Sequence, residues 1–94
     1  MIVHDKLFIG GEWVASTGRE TLEVISPLTE ETIAKVPEAT TEDIDRAVAA
    51  ARRAFDEGPW PRMPASERAD AIARLSAALQ ARAQQYADCI TQEM

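Results

Sequence analysis

The last thirty residues constrain this sequence more than any other stretch. From Ala65 to Met94 no glycine or proline interrupts the chain. Within that stretch Ile72, Leu75, Leu79, Ala83, Tyr86, Ile90 and Met94 recur every three or four residues. Such spacing puts all seven side chains on one face of an α-helix. The pattern predicts one helix over 64–94, opened by Pro64, whose missing N–H costs nothing at a first helical position. The stripe is still running at Met94. Thr91-Gln92-Glu93-Met94 offers no glycine, proline or basic last turn, the signals that commonly close a helix. The expectation is a helix cut short, with an apolar face made to be covered by more than this chain.

Composition points the same way. Ninety-four residues make at most one small domain. The apolar fraction is 46%, but 17 residues are alanine, which buries little area, so a private core would be thin. A net charge of −6 argues against nucleic-acid binding, which needs clustered Lys and Arg on phosphates. The same charge gives no attraction to an anionic membrane. The longest apolar run, Ala47 to Ala51, is far short of the ~20 residues that span a bilayer. His4, Asp5 and Lys6 interrupt the N-terminus early, unlike a secretory signal, so the expected location is cytoplasmic. A single cysteine, Cys89, allows no internal disulfide, which fits a reducing compartment.

The sequence changes character near Pro37. Before it, β-branched residues and turn formers predict hairpins over 1–37. Leu7-Phe8-Ile9 and Glu12-Trp13-Val14 flank Gly10-Gly11, two residues able to take the positive φ of a two-residue primed turn. Thr21 to Ser26 and Thr32 to Val36 are further strands, joined by a turn at Pro27 to Glu31. The segment around His4 is expected to be mobile.

After Pro37 a helix is predicted over 40–57. Thr40 can cap it, with Asp43 three residues on in a capping-box relation. Ile44, Ala47, Val48, Ala51 and Phe55 share one face. Acids fill the first turn, Arg52 and Arg53 lie near the end, and Gly58-Pro59 stops the helix. The fold class is therefore α+β, short hairpins followed by two helices.

Residues able to do chemistry are scarce. His4 is the only histidine and has no nearby partner for catalysis or zinc. Cys89 sits in a helix beside Asp88, where nothing local favours a thiolate, and reads as a half-buried structural residue. The acid runs Glu30-Glu31, Glu42-Asp43-Asp45 and Asp56-Glu57 read as caps and solvated ends rather than a paired carboxylate site. Gly10-Gly11 belongs to no phosphate-loop pattern, and Trp13 and Trp60 read as covers for a core edge. The residues themselves supply no active site.

Their order nevertheless resembles the N-terminus of the NAD(P)-dependent aldehyde dehydrogenase superfamily. The carriers are Leu7-Phe8-Ile9-Gly10-Gly11-Glu12-Trp13, Ser26-Pro27-Leu28-Thr29-Glu30-Glu31 and Ile33-Ala34-Lys35-Val36-Pro37. They continue with Glu42 to Phe55, Pro59-Trp60-Pro61 with Arg68, and Thr91-Gln92-Glu93-Met94. Two positions depart from the family pattern. Ser26 stands where Asn is commoner, and Glu30 where Gly is usual, at a cost of roughly 1 kcal/mol if that site needs positive φ.

The resemblance implies an incomplete N-terminal portion, 1–94, of a cofactor-binding domain in the α/β dehydrogenase fold. It implies a full-length oxidoreductase that oxidises an aldehyde to an acid with NAD or NADP. In that family a cysteine forms a thiohemiacetal, hydride passes to the cofactor and water cleaves the thioester. On this reading no catalytic or cofactor-contacting residue lies in 1–94, and the isolated chain is inactive and binds no cofactor. The implied partners are a small aldehyde, the rest of the dehydrogenase chain and further copies in a homo-oligomer. Some members also bind a monovalent cation, which by motif position would use main-chain oxygens of Val24 or Ile25 and the acid Glu93. The alternative is a stand-alone interaction module that docks on a full-length dehydrogenase through its apolar stripes.

Overall fold

Short strands with one apolar face open the chain, and their alternation decides which way each side chain points. In the computed structural model, which describes residues 1–94, β2 (Leu7–Ile9) and β3 (Glu12–Val14) form an antiparallel hairpin. Leu7, Ile9 and Val14 turn inward and are half-buried, while Phe8 and Trp13 turn outward. Gly10 and Gly11 hold the turn at φ 63° and 80°, as a primed turn requires.

The second sheet is built on β5 (Thr32–Pro37), half-buried along its whole length. β4 (Thr21–Ile25) pairs antiparallel on one side and β1 (Ile2–Val3) parallel on the other. β1 corrects the expectation of a mobile N-terminus. Its ladder runs on as the His4 N–H donates to the Lys35 carbonyl at 2.9 Å. A parallel partner far away in sequence leaves no local signature. The register of β4 on β5 slips between Val24 and Ile25, leaving Ile33 as an extra residue on β5.

The turn between β4 and β5 shows how the two unusual residues are accommodated. Ser26 Oγ accepts from the N–H groups of Leu28 and Thr29, so its hydroxyl nucleates the turn as a side-chain amide would. Glu30 sits at φ 62°, the left-handed region, and its N–H donates to the Ser26 carbonyl. The strain expected at Glu30 is present and tolerated.

Helix α1 (Thr41–Glu57) begins on a complete capping box: Thr40 Oγ1 accepts from the Asp43 N–H, and the Asp43 carboxylate accepts from the Thr40 N–H. Its other end differs from expectation. Arg52 and Arg53 fall before the last turn, and Arg52 pairs with Asp56 at 2.9 Å. Arg62, from the 3-10 turn Trp60–Arg62, instead donates to the carbonyls of Asp56 and Gly58. Gly58 is extended rather than left-handed, because the following proline disfavours helical backbone before it.

The long helix predicted over 64–94 is two helices. α2 (Ala65–Ala81) and α3 (Ala83–Glu93) meet at Arg82, and Pro64 caps α2 rather than opening it. At Arg82 (φ −115°, ψ 19°) the backbone bond shortens to Leu79 O at 3.1 Å, and helical bonding resumes with the Tyr86 N–H on Arg82 O. The Arg82 guanidinium folds onto the first turn of α3, donating to Gln85 and lying 5.6 Å from the Tyr86 ring. No glycine or proline marks the break.

No apolar residue is buried anywhere in the chain; only Ser26 and Asp43 are. The radius of gyration is 17.0 Å, against about 12 Å for a closed domain of this length. The accessible surface is 7587 Å², where a closed domain of this mass exposes roughly 5,400 Å². Ala47 and Ala50 of α1 face the β2–β3 hairpin, but Ile44, Val48 and Phe55 point away, uncovered. Ile72, Leu75 and Leu79 of α2 and Ile90 of α3 are likewise exposed. The stripes exist and nothing in this chain covers them.

Candidate functional site

The one enclosed polar cluster centres on Asp43, 1% exposed in a chain that otherwise buries almost nothing. Its carboxylate accepts from the Ser16 hydroxyl, the Thr17 N–H at 2.9 Å and the Thr40 N–H at 3.0 Å, with Arg46 at 3.8 Å. Thr17 and Thr40 join their hydroxyls, and the Gly18 N–H donates to Ser16 Oγ. The Ser16 hydroxyl first, then the Thr40 and Thr17 donors, hold the Asp43 carboxyl far below the ordinary carboxylate range and outweigh desolvation. Both carboxylate oxygens accept hydrogen bonds from within the protein, Oδ2 from Ser16 and Thr40 and Oδ1 from Thr17. The cluster is a joint between the loop after β3 and the start of α1. The capping relation was legible in sequence; the second role of Asp43 was not, since its partners lie 26 and 27 residues upstream.

The candidate cation residues are partly gathered. Val24 and Glu93 line one small cavity of about 130 Å³, with Ile2, His4, Ala34 and Cys89 among its walls. Ile25 is not in that lining and sits beyond the register slip. Nowhere do three His, Cys, Asp or Glu side chains converge as a metal-binding group. Main-chain oxygens and one carboxylate are hard donors, which suit an alkali cation better than zinc. His4 was missed as a wall of this cavity because the parallel β1–β5 pairing brings it there.

Other sequence candidates separate. Cys89 is exposed rather than half-buried, on the last helix beside the same cavity. Trp13 is 65% exposed and stacks at 5.0 Å on Phe8, so it covers no core edge within this chain; Trp60 is exposed as well. A wider apolar groove of about 600 Å³ lies between the hairpin tip and α1, walled by Phe8, Gly10, Ala47, Ala50 and Ala54. No helix of the structure is long and apolar enough to cross a membrane.

The sequence model of the aldehyde dehydrogenase family matches residues 13–94. The chain belongs to that family. It is similar to the mitochondrial benzaldehyde dehydrogenase of Antirrhinum majus, 49% identical over 75 residues, 80% of this chain and 14% of that protein. It is 43% identical over 88 residues to malonate-semialdehyde dehydrogenase 1 of Geobacillus kaustophilus, covering 94% of this chain and 18% of the relative. Among solved structures, a Bartonella henselae aldehyde dehydrogenase superposes with TM-score 0.93 at 31% identity, over all of this chain and 19% of that one. The Mycobacterium tuberculosis aldehyde dehydrogenase complexed with NAD+ superposes with TM-score 0.86 at 47% identity, over 90% and 18%. The chain thus spans less than a fifth of the length of these aldehyde dehydrogenases.

Proposed function

We propose that residues 1–94 are the N-terminal portion of the cofactor-binding domain of an NAD(P)-dependent aldehyde dehydrogenase, with hairpins over 1–37, a first helix over 40–57 and the helical stretch 64–94. The observation that carries this is the ordered family match over 13–94 in a chain that fully buries no apolar residue. The full-length parent oxidises an aldehyde to a carboxylic acid, assembles as a homo-oligomer and works in the cytoplasm, where NAD or NADP accepts the hydride. The chain's own task is structural: it supplies an edge of the domain, and we assign it no catalytic or cofactor contact. The purified chain therefore reduces neither NAD nor NADP with a panel of aldehydes. Added to the Geobacillus relative trimmed of its matching segment, it restores turnover. Turnover by the chain alone, or no restoration, overturns the reading.

In the parent, the Glu93 carboxylate and main-chain oxygen of Val24 or Ile25 would hold a monovalent cation, whose charge would tie β4 to α3. The shared cavity of Val24 and Glu93 supports this. In the restored assembly, potassium raises the thermal midpoint over tetramethylammonium at equal ionic strength, and Glu93→Gln abolishes the difference. An unchanged difference removes Glu93 from the site.

The exposed stripes also suit the second reading, a module docking on an intact dehydrogenase. That reading requires the chain to co-purify with an untrimmed relative, which the first does not.

A further inference from the structure

We propose that the Asp43 joint is a latch that holds the β2–β3 hairpin on α1 without help from the rest of the fold. The hairpin and α1 would then form a persistent unit of the chain, onto which α2 and α3 dock. Three separate features of the structure point to this.

The first is that the latch is complete within residues 16–46. Its carboxylate, three hydroxyls and three backbone N–H groups are bonded to one another within the chain. Hydrogen bonds to an ionised carboxylate are among the stronger ones, and enclosure away from water strengthens them further. Asp43 is enclosed here although no apolar side chain anywhere in the molecule is fully buried.

The second is a contact at the far end of the hairpin. Gly10 comes so close to α1 that a Cβ on it would stand 3.7 Å from the Ala50 Cβ. At the other end, a Cβ on Gly18 would meet Thr40 Cγ2 at 2.7 Å, too close to be accommodated without movement. The hairpin and the loop after it thus lie along α1 from the latch, where hydrogen bonds join them, to Gly10, which runs beside Ala50 at ordinary van der Waals range. A polar joint at one end and a packed neighbour at the other restrict the hairpin's orientation more than the joint alone.

The third is the contrast with the later helices. α1 packs on β2 and on the 3-10 turn, whereas α2 and α3 have no comparable packing on any other element. Local stability follows buried and bonded contacts, so opening should be easy in α2 and α3 and hard at the latch.

Amide hydrogen exchange by NMR on the 94-residue chain tests this. The Thr17, Thr40 and Asp43 amides are expected to exchange roughly tenfold or more slowly than those of Leu75 and Ile90, relative to each residue's intrinsic rate. Asp43→Ala removes that protection at Thr17 and Thr40. Leu75→Ala, which alters only the uncovered stripe of α2, leaves it unchanged. Equal exchange at the latch and in α2 overturns the proposal. So does a loss of latch protection in Leu75→Ala, because the joint would then depend on the later elements.

Discussion

Asp43 and Glu30 carry the residue-scale account, and each yields a measurement. Asp43 is ionised in the fold far below the range where a free aspartate protonates. A carboxyl depressed by folding adds stability above its unfolded value, near 3.8. That contribution is lost as pH falls through and below that value. The Thr17 amide shift, set by its bond to the carboxylate, therefore stays constant through the range where a free aspartate protonates and moves only well below it. In Asp43→Asn that acid-limb movement disappears. Glu30 bears the opposite sign of effect. Its φ of 62° costs an L-residue energy that glycine avoids, so Glu30→Gly gains up to about 1 kcal/mol. The gain is read as a higher thermal midpoint in the assembled dehydrogenase. Sequence could name both positions, because each departs from or matches a local motif. It could not name Ser16 and Thr17 as the partners of Asp43, since a hydrogen bond across 26 residues leaves no spacing to read.

At the scale of elements, local signals were legible and non-local ones were not. The hairpin at Gly10-Gly11 and the capping box at Thr40 follow from residues within a few positions of each other, and both are present. The strand β1 was invisible because its partner β5 lies about thirty residues away. The break at Arg82 was invisible because neither glycine nor proline causes it. That break has a consequence for mutation. Glycine in a helix interior costs about 1 kcal/mol against alanine, but a residue outside the helical bonding pattern escapes most of this. Arg82→Gly is thus expected to reduce helicity less than Gln80→Gly, by far-ultraviolet circular dichroism. A larger loss at Arg82 would mean that its guanidinium contacts with Gln85 and Tyr86 support the first turn of α3.

For the whole molecule, the sequence indicated the decisive property before the fold was known. Its alanine content and the apolar stripe from Ile72 to Met94 predict faces made for covering, and Ile72, Leu75, Leu79 and Ile90 are exposed. The candidate site was less legible: the sequence matched Val24, Ile25 and Glu93 to a motif, but the cavity takes in Val24 and Glu93 and not Ile25. The flat shape, 48 × 34 × 16 Å, follows from sheets and helices laid side by side with no common core. Bare apolar surface of this extent favours association, so the isolated chain binds hydrophobic dyes and self-associates as its concentration rises. On the proposed reading, the remainder of a dehydrogenase covers the same faces and makes them interior.

A chimera tests that claim most directly: this chain replaces the matching 88-residue segment of the Geobacillus malonate-semialdehyde dehydrogenase, to which it is 43% identical. The account predicts a folded, dye-silent enzyme that oxidises the relative's substrate. A chimera that is soluble yet still binds dye and shows no turnover would contradict it.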